Sequence, residues 1–487
     1  MFIGIDLGTT SVKTILIDEE GTTWGTVSEP VAVSRPRPGW SEQDPEHWWA
    51  AVAKTLDGLK AAHPAAMAAV RGIGLSGHMH GATLLDAQDR VLRPAILWND
   101  GRSADECLDI EASFPEARAV TGNIAMPGFT APKLAWVRRH EPEIFAQVAK
   151  VLLPKDFVRL RLIGDYVSDM SDSAGTYWLD VGRRDWSDAL LAATGLDRSH
   201  MPRLAEGTEA TGRLKPDLAA RWGMTTAPVV AGGAGDNAAS ACGIGAVTPG
   251  SAFLSLGTSG VLFVSNARFS PNTAGAVHAF CHALPQTWHQ MGVILSATDS
   301  LNWLARILDA PAPTLAGALG ASVAAPSDVM FLPYLSGERT PWNDAAARGV
   351  FVGLSQSTER TALTQAVLEG VGFAFRDCLR VLEEAGTAVT RAFAVGGGSN
   401  SPLWLKIMAS ILNRPLDLGA DADVGAALGA ARLAMAAALG GDPVRFMPPP
   451  AIKATIEPDP ALVPAYAEAY ERYRALYPLA RAAVPAR

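Results

Sequence analysis

Two stretches of this chain repeat one pattern, and that repeat limits what it can fold into. IDLGTTSVKTILID at residues 5–18 and LSLGTSGVLFVSN at 254–266 each read as a β-like run, a Gly-Thr-Thr/Ser turn and a second β-like run. Gly8-Thr9-Thr10 falls on Gly257-Thr258-Ser259 at a shift of 249 residues. A weaker echo pairs GDNAASACGIGA (235–246) with ADVGAALGAARLA (422–434), each placing an Asp just ahead of a helix of small residues. Internal repetition means related units that bury their faces together. At 487 residues the chain is too long for one ordinary core. It reads as two α/β halves, 1–246 and 247–487, meeting near Val247-Thr248-Pro249-Gly250, with a ligand cleft between them.

Local patterning agrees. Short Gly-bounded aliphatic runs at 2–6, 12–17, 72–76, 228–231, 252–256, 261–264 and 392–396 predict strands. Helices are expected at 45–61, capped by Asp44 with Pro45 in the first turn, at 360–385, and at 460–478, capped by Asp459 with Pro460 in the first turn. In the last of these, Tyr466, Tyr470, Tyr473 and Tyr477 share one face, a docking surface rather than a cofactor box.

Composition excludes several classes of partner. Forty-one Lys and Arg against 49 Asp and Glu give a net charge of −8 without a basic cluster, which argues against nucleic acid and against an anionic membrane. Cys107, Cys242, Cys281 and Cys378 lack CxxC spacing and read as buried free thiols in a reducing cytoplasm. Asp6 interrupts the apolar N-terminus, so no signal peptide is expected, and the Ala-rich stretch 425–438 is too short to span a bilayer.

A strand–Gly-Thr-Thr–strand hairpin concentrates backbone N–H groups and hydroxyls in a small anion nest. Two such nests facing across a cleft would grip a polyphosphate from both sides. The copies differ at one telling position, where Asp6 corresponds to Ser255. One carboxylate beside a phosphate nest suits one Mg²⁺, held directly or through water. AVGGGSNSPLW (394–404) follows a strand and precedes a helix; beside two phosphate nests it reads as an adenosine pocket. PVVAGGAGDNAAS (228–240) brings Asp236 and Asn237 to a helix start near the junction of the halves. A helix cap is the ordinary reading of that Asp. Phosphoryl transfer to an alcohol needs a carboxylate that orients the hydroxyl and takes its proton, which Asp236 suits, with Asn237 bonding a neighbouring hydroxyl. SGHMHGATLLD (76–86) carries His78, Met79 and His80, read as polyol contact, with a structural His pair and a metal site as alternatives. ILWNDGR (96–102) offers Trp98, Asn99, Asp100 and Arg102, either a sugar-binding set or a capped turn.

Taken in order, these stretches resemble the FGGY family of carbohydrate kinases. The resemblance rests on FIGIDLGTTSVK, GWSEQDPEHWW, GHMHGATLLDAQ, RPAILWNDGR, MPGFTAPKLAWV, VLLPKDFVRLRL, SDMSDSAGTYWLDV, GGAGDNAASACGIG, LSLGTSGVLF, FLPYLSGERTPWN and DVGAALGAARLA, from residue 2 to about 435. It implies two actin-like ATPase lobes of ribonuclease H type, ATP with Mg²⁺, and a ketopentose substrate. By position, Asp236 falls on the family's catalytic base and Met79-His80 on its sugar-contacting pair. Relatives acting on glycerol carry Arg-Glu there, so Met-His favours a ketopentose. Asp6, Gly8, Thr9, Thr10, Lys13, Gly257, Thr258 and Ser259 fall on the phosphate loops, and Gly397, Gly398 and Asn400 on the adenosine loop. Two departures stand out: GGAGD with Ala234 inserted before the base, and His78 where the family has Gln. A sister kinase for ribulose, fuculose or glycerol is one alternative, and an actin-like ATPase without a sugar is another. A homodimer is the assembly to test.

Overall fold

Both repeated hairpins form, and each sits in the middle of a mixed sheet. The structure, a computed structural model, describes residues 1–420 and 425–483. In the first half β1 (Phe2–Leu7) pairs antiparallel with β2 (Ser11–Ile17), and β2 with β3 (Thr23–Pro30). On the other side of β1, β4 (Gly72–Gly77) and then β5 (Val229–Ala231) add in parallel. In the second half β6 (Ala252–Leu256), β7 (Gly260–Asn266), β8 (Trp288–Ile294), β9 (Ala392–Val395) and β10 (Leu416–Gly419) repeat that order and those directions. These are the two ribonuclease H-like lobes that the resemblance implies. The predicted strands lie within two residues of the observed ones. β3, β8 and β10, which flank the predicted strands in these seven-stranded sheets, are not marked by the aliphatic runs.

Six helices matter for the site: α1 (Pro45–Ala62), α2 (Pro154–Ile163), α3 (Asp236–Ile244), α4 (Arg360–Glu384), α5 (Ala426–Leu439) and α6 (Val463–Ala483). Asp44 caps α1 as expected, accepting from Glu46 N. α6 begins three residues later than the sequence suggests. Asp459 accepts from Ala461 N, but its carbonyl takes the N–H groups of Leu462 and Val463, so 459–462 form a separate turn. Pro478 then lies inside the helix rather than at its end. The tyrosine face docks within the chain. Tyr466, Tyr470, Tyr473 and Tyr477 donate to Glu369, Asp377, Tyr334 and Asp344, and the first three are core residues of the second lobe. A buried phenol needs a partner for its O–H, and three acids and the Tyr334 hydroxyl supply it. All four cysteines are buried and free. Among the described residues no helix is long and apolar enough to cross a membrane.

The lobes meet through small residues. α5 belongs to the second half yet lies over the first sheet: a Cβ on Gly4 would fall 1.9 Å from Ala427 O, and one on Gly74 would fall 1.8 Å from Ala430 O. α3 crosses α5 equally closely, with a Cβ on Gly429 placed 1.7 Å from Ala239 O. Ala241 and Ile244 of α3 share a buried cluster with Phe253 and Phe263 of the second sheet. The small-residue helices of the weaker repeat therefore form the close contact between lobes. The Asp that precedes the second of them, at 423, lies outside the described residues. Backbone meets backbone here, so an added methyl has no flexible side chain to push aside. Gly429→Ala is expected to cost about 1–3 kcal/mol, read as a lower urea midpoint.

Candidate active site

Three neighbouring strands bring the two predicted catalytic carboxylates together. In the sheet register Asp6 of β1 lies beside Ser76 of β4, and Ser76 lies beside Ala234 of a short strand, Ala234–Gly235, that runs straight into α3. Ser76 Oγ donates to Asp6 Oδ1 at 2.9 Å. Asp236 is not a helix cap. Gly235 occupies the cap position and Asp236 is the first helical residue. Its Oδ1 accepts from Asn237 N at 2.7 Å and Asn237 Nδ2 at 2.9 Å, while Oδ2 has no partner among the described residues. Burial first, and then the Asp6 charge, push the Asp236 carboxyl up to about 7. Burial also raises Asp6, against the Ser76 hydrogen bond and the charge of Lys13, which stands opposite Asp6 in the β1–β2 ladder. Two carboxylates whose environments hold one of them near neutrality are suited to proton transfer. The path around Ala234 is set by Gly233, at φ +73°, and by Arg159, which donates to the carbonyls of Ala231 and Gly232.

The two hairpin turns have their carbonyls tied down. Gln43 Nε2 donates to Thr9 O at 2.7 Å and Val31 N to Thr10 O at 2.9 Å. In the second hairpin Thr298 N and Oγ1 donate to Gly257 O, and Ala297 N to Thr258 O. Among the described residues nothing accepts from the N–H groups of Thr9, Thr10, Thr258 or Ser259. Each turn therefore has uncommitted donors, as an anion nest requires. The Gly397–Asn400 turn packs on the second hairpin: a Cβ on Gly398 would meet Leu256 Cβ at 2.8 Å, whereas one on Gly397 would face open space. Asp6, Gly8, Thr9, Thr10 and Lys13 thus share one hairpin, and Gly257, Thr258, Ser259, Gly397, Gly398 and Asn400 share one region of the other lobe.

Met79 packs on the backbone just ahead of Asp236, where a Cβ on Gly235 would meet its Sδ at 3.0 Å. His80 adopts φ +72°, a left-handed conformation costly for a residue with a side chain. Its carbonyl is pinned by Lys133 Nζ at 2.8 Å and Thr130 Oγ1 at 3.2 Å. Its Nδ1 lies 2.6 Å from Gly175 O. A carbonyl only accepts, so Nδ1 carries the proton and Nε2 is left with a lone pair. Burial and the Lys133 charge push this imidazole down to about 3, so it is neutral. His78 is buried against Trp48 and is likewise neutral, the structural reading of that residue.

One segment, SDMSDSAGT (168–176), braces both walls. Its Gly175 holds His80, and its Ser171 Oγ accepts from Gly235 N at 3.1 Å. Asp169 in turn accepts from Ser171 N and Oγ. Beneath it Lys155 of α2, fully buried, contacts Asp156 at 2.7 Å, Asp169 at 2.7 Å and Asp172 at 2.9 Å. Ser76, Ser171, Gly175 and Lys155 lie in quoted motifs, but local pattern assigns them no role. Of the remaining polar set, Trp98 Nε1 donates to Thr9 Oγ1 at 3.0 Å, so Trp98 borders the first phosphate turn. Asp100 is buried and both its oxygens are taken, by Ser41 N, Arg102 N and the Arg102 guanidinium. That is the capped-turn alternative, and it leaves Asp100 no oxygen for a sugar hydroxyl.

Comparison with known proteins gives the same grouping. Residues 1–243 match the model of the N-terminal domain of the FGGY family of carbohydrate kinases, and residues 252–438 match that of its C-terminal domain. The chain is 51% identical to the xylulose kinase of Escherichia coli (strain K12) over 98% of each protein. Among solved structures it is similar to a xyloylose kinase from Brucella ovis, at TM-score 0.97 and 59% identity over 99% of each chain. It is also similar to the xylulose kinase of Rhodospirillum rubrum, at TM-score 0.91 and 32% identity over 98% of each.

Proposed function

This chain belongs to the FGGY family of carbohydrate kinases, and on that footing we propose that it transfers the γ-phosphoryl group of ATP to O5 of D-xylulose. The observation that carries the reading is Asp236. It is a cleft carboxylate with one oxygen anchored by Asn237, the other uncommitted among the described residues, and an affinity for protons near neutrality. As the sugar hydroxyl attacks phosphorus, Asp236 takes its proton late in the step. Met79 walls the pocket, His80 Nε2 accepts from a sugar hydroxyl, and the Asn237 amide oxygen faces a neighbouring one. Trp98 borders the phosphate turn, and Asp100 acts only through the turn it braces. The first unit, 1–246, carries the sugar. The second, 247–487, carries most of the nucleotide site, with Gly397, Gly398 and Asn400 against the adenosine. Both hairpins and Lys13 hold the phosphates, so positioning and charge neutralisation supply most of the rate. Asp6 fits Mg²⁺, since a hard cation prefers carboxylate and phosphate oxygens and, among the described residues, one Asp6 oxygen is spent, on Ser76. The ion would neutralise phosphate charge. Closure of the lobes about the α3–α5 contact would keep water from the phosphoryl group. Buried free thiols suit a cytoplasmic enzyme.

The test is kcat/KM by coupled ADP detection for D-xylulose, D-ribulose, L-fuculose and glycerol. D-xylulose is expected to lead by at least about tenfold, the discrimination worth about 1.4 kcal/mol. ADP release indifferent to every sugar would overturn the reading.

A further inference from the structure

Phosphorylation at O5 fixes which form of a pentulose can react. The ring of a 2-ketopentose closes through O5 onto C2, so a molecule with its O5 hydroxyl free is the open chain with its C2 ketone exposed. A site for that form gains by donating to an oxygen that only accepts.

A donor from the second lobe lies within electrostatic reach of His80. Arg339 lies in the GERTP stretch of the second lobe and is half-buried. Among the described residues its guanidinium has one hydrogen-bond contact, Nη1 to His278 Nε2 at 3.5 Å. The orientation is relayed from the first lobe. Asn123 Nδ2 donates to the carbonyls of Thr121 at 2.7 Å and Ala279 at 3.0 Å, which fixes Oδ1 as the atom 3.1 Å from His278 Nδ1. His278 Nδ1 therefore carries the proton and Nε2 offers Arg339 a lone pair. Burial and the Arg339 charge hold His278 neutral. The adjacent Glu338 is not a full counter-ion. Its Oε1 accepts from Arg339 N and Leu295 N, and burial pushes its carboxyl up to about 8. Most of the guanidinium fork is thus uncommitted.

The fork and His80 adjoin one aromatic cluster across the two lobes. His278 stacks on Phe280 at 5.4 Å and packs on Phe129 at 5.7 Å, and these two rings flank His80 at 6.4 and 4.8 Å. The Arg339 charge adds to the burial and the Lys133 charge that hold His80 neutral. One lobe offers a lone pair and the other a donor fork, which complements an α-hydroxy ketone. We propose that Arg339 selects ketose over polyol, donating to the C2 ketone oxygen while His80 Nε2 accepts from an adjacent hydroxyl. A pentitol has no ketone, and its C2 hydroxyl must turn its own proton away from a cation.

This inference rests on the D-xylulose reading, and its test separates the two. kcat/KM for D-xylulose, and inhibition constants for xylitol and D-arabinitol, are measured on the wild type, Arg339→Gln and Arg339→Lys, with melting temperatures. Arg339→Gln is expected to lose about tenfold to a hundredfold in kcat/KM for D-xylulose, the range of a lost charge-assisted hydrogen bond, while pentitol inhibition moves less than about threefold. Arg339→Lys, which keeps the charge without the fork, is expected to recover part of the loss. Equal losses for ketose and pentitol would assign the residue to phosphate or to structure and overturn the proposal, as would no loss. Should Arg339→Gln fail to fold, Arg339→Lys decides: a ketose-to-pentitol ratio equal to that of the wild type overturns it. A wild-type protein that does not turn over D-xylulose would instead sink the functional reading itself.

Discussion

Asp236→Asn is expected to lower kcat with D-xylulose by about 10²–10⁴-fold while making the protein more stable at pH 8. The two effects have one cause. Burial and Asp6 raise the Asp236 carboxyl from its ordinary 3.8 to about 7. Between those values the native protein holds a proton that the unfolded chain releases, so this group's stabilising contribution falls as pH rises through the window. Above pH 7 a buried charge remains next to Asp6, and Asn removes it. The gain is expected on the order of 1–4 kcal/mol at pH 8 and smaller at pH 5, read from thermal melts at both. For the wild type, kcat/KM rises with pH through an apparent value near 7, because only the carboxylate can take the proton. A variant that is inactive and also less stable at pH 8 would show a structural lesion rather than a missing base.

What the sequence discloses follows from the range of each interaction. The hairpins are legible because turn chemistry is local: Gly8-Thr9-Thr10 and Gly257-Thr258-Ser259 carry their own strands, and duplication makes the pattern hard to produce by accident. Asp236 is legible because its neighbours in sequence, Gly235 and Asn237, are also its neighbours in space. Asp6 is half legible. Its place beside a phosphate turn can be read, but Ser76, on a parallel strand 70 residues away, cannot. The polar set at 98–102 leaves two readings open because a buried turn and a sugar site draw on the same residue types, and for Asp100 the contact with Ser41 N favours the turn. The tyrosine face is legible as a docking surface, but what it docks on is not. Periodicity locates the face, but whether it meets a partner or its own lobe depends on Glu369 and Asp377, on another helix. The exchange of α5 onto the first sheet leaves Gly4, Gly72 and Gly74 as traces, and those glycines also suit any strand beside a turn.

Lys155→Met tests how far the site depends on charges buried beneath it. Lys155, Asp156, Asp169 and Asp172 are all excluded from solvent, with Arg159 beside them. Burial alone would strip the Lys155 proton, but the acids around it, Asp156 and Asp169 foremost, hold it. Burial pushes the Asp172 carboxyl well up against the pull of Lys155, with Asp169 and Asp156 adding to the push. With Asp172 neutral, two cations face two anions and the cluster balances. Replacing Lys155 by Met leaves an uncompensated buried anion, and the expected cost is about 3–5 kcal/mol, read as a lower urea midpoint. Asp172→Asn, which mimics a carboxyl already protonated, is expected to cost less than about 1 kcal/mol. Equal costs for the two variants would mean that Asp172 is charged and the balance is wrong. The functional consequence comes through the brace above the cluster. Asp169 positions Ser171, which holds Gly235 N, and Gly175 of the same segment holds His80. Lys155→Met is therefore expected to raise KM for the sugar and lower kcat together at temperatures where the variant is still folded. KM for ATP should change less, because the hairpin turns take their supports from Gln43, Val31 and the 297–298 backbone instead.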